Sequence, residues 1–166
     1  MALSAFSVRA VDPEDKDWVA DFITQRWGAE FVAAHYDVYD CKDLPGFVAL
    51  QGEKRIGLIT YTISKTDCEV VSLDSVQTCM GVGTALMDAV KAAAVAAGCK
   101  RLWLVTTNDN INALRFYQKR GFVLVKINRN AIEFSRGLKS VPLIGNDGIP
   151  LRDEIELEMM LNHDIA

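Results

Sequence analysis

The stretch Thr106-Thr107-Asn108-Asp109-Asn110-Ile111-Asn112-Ala113-Leu114-Arg115-Phe116-Tyr117-Gln118-Lys119-Arg120-Gly121-Phe122 constrains the fold more than any other part of the chain. It follows an apolar run of strand type, Leu102-Trp103-Leu104-Val105, and opens with residues that cap helices. It continues as a short helix stopped by Gly121, and Phe122 begins another apolar run. That order sets an Asn at a helix start and a Tyr on its second turn beside one end of a sheet. Upstream, Gly81-Val82-Gly83-Thr84-Ala85-Leu86 stands at a second strand-to-helix junction. Backbone without side chains approaches a pyrophosphate closely, and the free N–H groups of a helix start bind it. Together the two segments point to a phosphate-bearing cofactor from which a group is moved.

The remaining pattern predicts a mixed α/β sheet. Residues 7–11 read as a first strand, and Asp12-Pro13-Glu14-Asp15 as a helix start with an Asp cap, a first-turn Pro and early acids. Trp18, Phe22 and Ile23 share a face of that helix. Residues 28–46 carry no clear period and end at Leu44-Pro45-Gly46. Residues 47–50, 56–63 and 68–76 read as three strands joined by tight turns, a meander. A helix over 83–97 carries the stripe Leu86, Val90, Ala93 and Ala97 and stops at Gly98. A strand over 102–105, a helix over 113–120 and a strand over 122–127 follow. Residues 130–150 read mostly as loop. The last element alternates Ile155, Leu157 and Met159 with Glu154, Glu156 and Glu158, the pattern of a half-exposed strand. The sum is one domain over residues 1–166, a mostly antiparallel meander followed by β-α-β units.

Composition narrows the function classes. Half of the 166 residues are hydrophobic, which suits a folded globular chain. Eighteen Lys and Arg against 22 Asp and Glu, without a basic cluster, argue against nucleic acid as the main partner. The first residues lack the basic start and apolar core of a signal peptide, and no apolar run is long enough for a bilayer, so a cytoplasmic protein with no membrane partner is expected. Cys41, Cys68, Cys79 and Cys99 have neither CxxC nor Cys/His spacing; no metal is expected, and all four read as small apolar fillers.

Gly81-Val82-Gly83 alone is a weak signal. A dinucleotide fingerprint would place a third glycine where Leu86 stands, and a P-loop would need Gly-Lys-Ser/Thr. Its place between a meander strand and a helix, ahead of the Asn-Ala-Phe-Tyr-Gly-Phe series, resembles the GNAT acyltransferase superfamily over residues 7–128. The tail Gly148-Ile149-Pro150-Leu151-Arg152-Asp153-Glu154 is similar to a subgroup of that family of unassigned substrate. The resemblance implies the acyl-CoA N-acyltransferase fold and transfer of an acetyl group from acetyl-CoA to a primary amine, by direct attack in a ternary complex.

Residue by residue, the resemblance places the pyrophosphate on the backbone of Met80, Gly81, Val82, Gly83 and Thr84. The family's Gln or Arg three positions before Gly81 is Thr78 here, with Gln77 one residue earlier. Leu73, Ser75 and Val76, on a strand that splays from its neighbour, would face the pantetheine arm. Asn112 matches the Asn near the pantetheine, or caps the helix. Tyr117 matches the Tyr beside the thioester sulfur, where a phenol with an ordinary pKa of about 10 stays protonated and donates to the departing thiolate; the competing reading is a core aromatic. Glu69 matches a position where some members carry a catalytic Glu, and reads equally as a surface charge. Asp74 is a second base candidate, taken to face the same side only in a strand without a bulge. His35 reads as a surface histidine.

The acceptor pocket, for a small-molecule or peptide amine, is expected from residues 24–45 and 130–150. Trp27, Phe31, Tyr36 and Tyr39 would supply aromatic walls, and Asp37, Asp40 and Asp43 an attraction for a cationic amine. Three alternatives stay open: a non-catalytic CoA-sensing or partner-binding module, a covalent route through Cys79, and a nucleotide-binding α/β protein. The last strand could also pair across a homodimer.

Overall fold

Seven strands of one sheet, with a separate two-stranded ribbon beside it, carry the site in the computed structural model, which describes residues 5–77 and 81–162. In chain order the elements are β1 (Ser7–Ala10), α1 (Lys16–Trp27), β2 (Phe31–Ala34), β3 (Asp37–Asp40), β4 (Gly46–Gln51), β5 (Lys54–Ser64) and β6 (Asp67–Ser75). Then come α2 (Val82–Ala96), β7 (Arg101–Thr107), α3 (Ile111–Lys119), β8 (Val123–Asn128), α4 (Ile132–Arg136) and β9 (Glu154–Met160). The large sheet runs β1-β4-β5-β6-β7-β9-β8, and β2 pairs with β3. The expected meander is β4, β5 and β6, antiparallel throughout.

Two irregularities in β6 build the site. It pairs in parallel with β7 only over Asp67 to Glu69 against Arg101 to Trp103, and beyond that the two strands part. Their facing edges then have no ladder partner, which leaves backbone N–H and C=O groups lining a V-shaped opening. The second irregularity is a bulge. Tyr61 lies opposite Val70 and Thr60 opposite Ser72, so Val71 is one residue extra. An odd separation would set Glu69 and Asp74 on opposite faces of a regular strand. The added residue turns both toward α1 and the β2–β3 ribbon, where Glu69 meets Tyr39 and Asp74 meets Trp27. A bulge is therefore what unites the two faces, the reverse of the condition read from sequence.

The sheet separates two apolar layers. On one side α2 buries Val82, Leu86, Met87, Val90 and Ala94 against β4, β5 and β6. Of the expected stripe, Leu86 and Val90 are buried, while Ala93 is half-buried and Ala97 exposed, because the buried rows follow a spacing of four residues from Val82. On the other side Val19, Phe22 and Ile23 of α1 pack with Val32, Leu58 and Val71.

Asp15 is fully buried at the start of α1, held by Arg9 at 2.7 Å, Arg55 at 2.9 Å and the Asp12 backbone N–H at 2.9 Å. These contacts, Arg9 foremost, hold its carboxyl far below the usual range. They also tie α1 to β1 and β5.

Three readings from sequence change. Residues 28–46 contain the β2–β3 ribbon, whose turn residues His35 and Tyr36 have φ of 39° and 68°. Such a two-residue turn usually announces itself as Asn-Gly, and here it does not. Residues 130–150 contain α4. Finally, β9 is not half-exposed: it lies between β7 and β8, with Glu154 and Glu156 buried, so both of its edges are paired and it is not a free strand for a dimer. The sheet edge on this side is β8, whose Val123, Leu124 and Ile127 are exposed, and the opposite edge is β1. Cys41, Cys68 and Cys99 are buried, as fillers should be. Cys79, Thr78, Met80 and His163 lie outside the described residues.

Candidate active site

The opening between β6 and β7 holds a cavity of about 110 Å³ whose walls include Leu73 and Asp74 of β6, Val105 and Thr106 of β7, and Asn110 and Tyr117. Tyr117 arrives there because α3 follows β7 after a short turn capped by Asn110, whose side-chain oxygen accepts from the Ala113 N–H at 3.2 Å. Phe116 and Phe122 stack edge-on against the Tyr117 ring and fix it. Burial, and secondarily the charge of Asp74, raise the phenol's pKa well above its ordinary value, so it is a donor across the neutral range.

Asn112 is placed differently from expectation. It is exposed on the first turn of α3, and its side-chain oxygen accepts from Arg115 at 3.5 Å. The helix cap and the cleft wall are both Asn110, two residues earlier. The spacing from Asn110 to Ala113 to Tyr117 is one helical face, a signal present in the sequence.

A second hollow, about 320 Å³, is lined by Ser75, Gln77, Gly81, Gly83, Phe116 and Arg120, and two of these, Ser75 and Phe116, adjoin the cleft residues Asp74 and Tyr117 in the chain. Gly81 starts α2 with φ of 80°, which suits glycine, and a Cβ at Gly83 would lie 3.2 Å from the Phe116 ring. Val82, Gly83 and Thr84 supply the first N–H groups of α2, the ones that a helix start directs outward. Arg120, which sequence reasoning missed, stands over the Phe116 ring and donates from Nε to Thr84 Oγ1 at 2.9 Å. A guanidinium beside a helix N-terminus is an anion seat. Of the β6 residues expected near the cofactor, Leu73 lines the cleft and Ser75 the hollow. Ser75 also gives its carbonyl to Arg26 at 3.1 Å, whereas Val76 donates its N–H to Ile56 and exposes its side chain. Met80 is outside the described residues.

At the point where the strands part, Glu69 is buried. His35 Nε2 lies 2.5 Å from one of its oxygens, and the Tyr39 hydroxyl donates to the other at 2.9 Å. The His35 backbone N–H donates to Glu154 at 2.9 Å. His35 is thus no surface histidine: a left-handed turn aims its ring at Glu69. The bond to Glu69, opposed in part by burial, raises the His35 pKa above 6.5. A raised histidine pKa stabilises the fold fully below the unfolded value of about 6.5, and that stabilisation is lost as pH rises through the folded value. Histidine NMR titration should place the His35 midpoint above 6.5 and return it toward 6.5 in Glu69→Gln; an unshifted His35 in the wild type would contradict the pairing.

The segments 24–45 and 130–150 meet across a third cavity, about 230 Å³, on the α1 side of the opening. Trp27 walls it, with its indole N–H donating to Asp74 at 2.8 Å. Arg26 and Lys139 line it as well. The three acids expected there do not: Asp37 is exposed, Asp40 pairs with Lys42 and Asp43 with Lys16. Tyr36 packs on Phe134 with its side chain largely exposed, and Tyr39 faces Glu69. The tail Gly148 to Glu154 has a clear function in the fold. Asn108 accepts from the Arg152 and Asp153 N–H groups and donates to the Pro150 carbonyl, which fastens the loop after α4 over this cavity.

Among the described residues no group of His, Cys, Asp and Glu is arranged to hold a metal, and no helix is long and apolar enough to cross a membrane.

A sheet forked between parallel strands, with a helix N-terminus at the mouth and a tyrosine in the fork, is the arrangement expected of the acyl-CoA N-acyltransferase fold. The model of the acetyltransferase (GNAT) family matches residues 15–122, and the chain belongs to that family. It is 44% identical over 142 residues to uncharacterized protein YdhI of Bacillus subtilis strain 168, covering 84% of this chain and 89% of the relative. It is 42% identical over 144 residues to YxbD of the same organism, covering 86% and 91%. Among solved structures, an IAA acetyltransferase from Bacillus cereus superposes with a TM-score of 0.73 at 22% identity, over 95% of this chain and all of that one. A Bacillus subtilis acetyltransferase in complex with CoA gives a TM-score of 0.68 at 19% identity, over 95% and 100%.

Proposed function

We propose that this chain transfers the acetyl group of acetyl-CoA to a primary amine by direct attack in a ternary complex. The observation that carries the reading is Tyr117 in the wall of the fork, one residue from Phe116 in the hollow at the α2 start, with a cavity behind that shares walls with the fork. The fork and the cavity share Trp27, Val71, Val105 and Thr106. Three of the solved structures of this fold hold CoA or acetyl-CoA, which supports the same cofactor here.

In this reading the pyrophosphate rests on the backbone of Gly81 to Thr84, with Arg120 beside it. The pantetheine arm takes the unpaired edge of β6 near Leu73. The amine nitrogen attacks the thioester carbonyl carbon; a C–N bond forms, the C–S bond breaks, and its electron pair leaves with sulfur. A strand N–H at the parted edge stabilises the oxyanion. The Tyr117 hydroxyl donates its proton to the departing sulfur, which leaves as the thiol of CoA, and a proton from solvent restores the phenol after release. The proton lost by the attacking amine passes to the Glu69–His35 pair, with His35 neutral above its raised pKa. Asn110 holds the α3 start in the cleft wall, a position better suited to the cofactor arm than the exposed Asn112.

Initial rates of thiol release with acetyl-CoA and an amine acceptor test the order of events. Direct transfer gives intersecting double-reciprocal lines, whereas parallel lines would replace it with a covalent route. A protein that binds CoA tightly and acetylates no amine would be the sensing module instead.

A further inference from the structure

Two features of the cavity behind the fork go unused by acetyl transfer itself: it is cationic on one side, and it is small. Lys139 enters from the loop after α4 and is half-buried. Its ammonium donates to the Trp27 carbonyl at 2.8 Å and stands over the Trp27 and Phe31 rings. No carboxylate pairs with it among the described residues, and burial lowers its pKa. Arg26 lines the same cavity, tied to the Ser75 carbonyl at 3.1 Å and to the Phe22 face, again without an ion pair among the described residues. Arg26 is thereby fixed to β6, and Lys139 to the end of α1 beside it. Glu154, the one acid of the lining, sits beside Thr107 of β7, and its carboxylate is already engaged by the His35 N–H.

A half-buried ammonium without a counter-charge is costly, and a ligand anion relieves that cost. Most of the remaining wall is apolar, with Val32, Val105, Ile132 and Leu151 among it. The volume, about 230 Å³, lies below the ~300–1,000 Å³ of sites for larger ligands.

Resting on the acetyl-transfer reading, we propose that the acceptor is a compact amino carboxylate with an apolar side chain, a free apolar amino acid in the simplest case, whose carboxylate is held by Lys139 and Arg26 while its amine faces the fork. This differs from the expectation that Asp37, Asp40 and Asp43 would attract a cationic amine, since none of the three lines the cavity. The amine attacks from the wall shared with the cofactor cleft, at Val71, Val105 and Thr106, on the side of Glu154. An ammonium-carboxylate pair within a cavity of this kind selects against the amide of the same amino acid, which offers no charge to Lys139.

The test is isothermal titration of L-leucine, L-methionine and L-phenylalanine, each against its primary amide, into the protein with and without CoA. At least one acid should bind about tenfold or more tightly than its amide, the scale of one charge-assisted contact. Lys139→Met should abolish that preference and Lys139→Arg should keep it; circular dichroism establishes that both variants fold. Equal affinity of acid and amide in every pair, or a preference that survives Lys139→Met, overturns the proposal. The two readings fail separately. Selective binding of an amino acid without its acetylation removes the transferase reading alone, and acetylation of polyamines or amides in preference to acids removes this one alone.

Discussion

Tyr117→Phe should lower kcat by about 100-fold or more, the usual scale for a positioned proton donor, while CoA still protects the protein against heating. The substitution removes one oxygen and leaves the ring between Phe116 and Phe122, so packing in the α3 layer is kept. The wild-type phenol is held neutral by burial and by Asp74, which makes it a donor throughout the pH range in which the amine is reactive. Its hydroxyl has no hydrogen bond to a described residue, so its loss strands no partner. Steady-state kinetics paired with a melting curve in CoA separates the outcomes. A fall in kcat with unchanged CoA protection is the expected result; unchanged kcat would make Tyr117 a wall residue and nothing more.

The largest stability effect is expected at Asp15. Asp15→Ala removes a fully buried carboxylate from between Arg9 and Arg55 and takes away the acceptor of the Asp12 N–H. Breaking a buried charge pair costs about 3–5 kcal/mol. The lower end applies here, because Arg9 and Arg55 are partly exposed and regain water. Urea unfolding should show a loss of about 3 kcal/mol. The sign with pH is fixed as well. A depressed carboxyl pKa stabilises the fold above its unfolded value, near 4, and that stabilisation fades as pH falls through the folded value. The wild type should therefore lose its advantage over Asp15→Ala only in acid. A constant difference from pH 7 down to pH 2 would mean that packing, not charge, sets the cost.

Much of the sheet was legible because its signals are local. The meander, the two long helices and the β7-α3-β8 unit follow from apolar runs, caps and stopping glycines at short range. The β2–β3 ribbon was not, since its strands are four residues long and its turn is His35-Tyr36, without a glycine to mark the left-handed backbone. The burial of β9 was hidden for another reason. Alternation of Glu with apolar residues signals exposure only if the acids lack partners, and Arg101 holds both Glu156 and Glu158.

In the candidate site, the residues of the Gly81 and Tyr117 segments come together as the motifs imply. What the sequence concealed lies across large separations. Arg120 reaches Thr84, Lys139 reaches Trp27, and His35 bridges Glu69 and Glu154. Asn110 was within reach: its distance from Tyr117 is two helical turns, and the neighbouring Asn112 obscured it. The bulge at Val71 left no mark in composition, yet it decides which carboxylates share a face.

In the proposed function CoA occupies the seat at the α2 start and the fork between β6 and β7. Thermal unfolding with acetyl-CoA, CoA, ATP and NAD, each at about a hundredfold excess over a trial Kd, tests it most directly. Binding to the folded state alone adds about 2.7 kcal/mol at that excess, a rise of about 5–10 °C for a chain of this size. Such a rise with acetyl-CoA and CoA, and none with NAD, is the predicted result. Protection by ATP or NAD without protection by either CoA species would contradict the account.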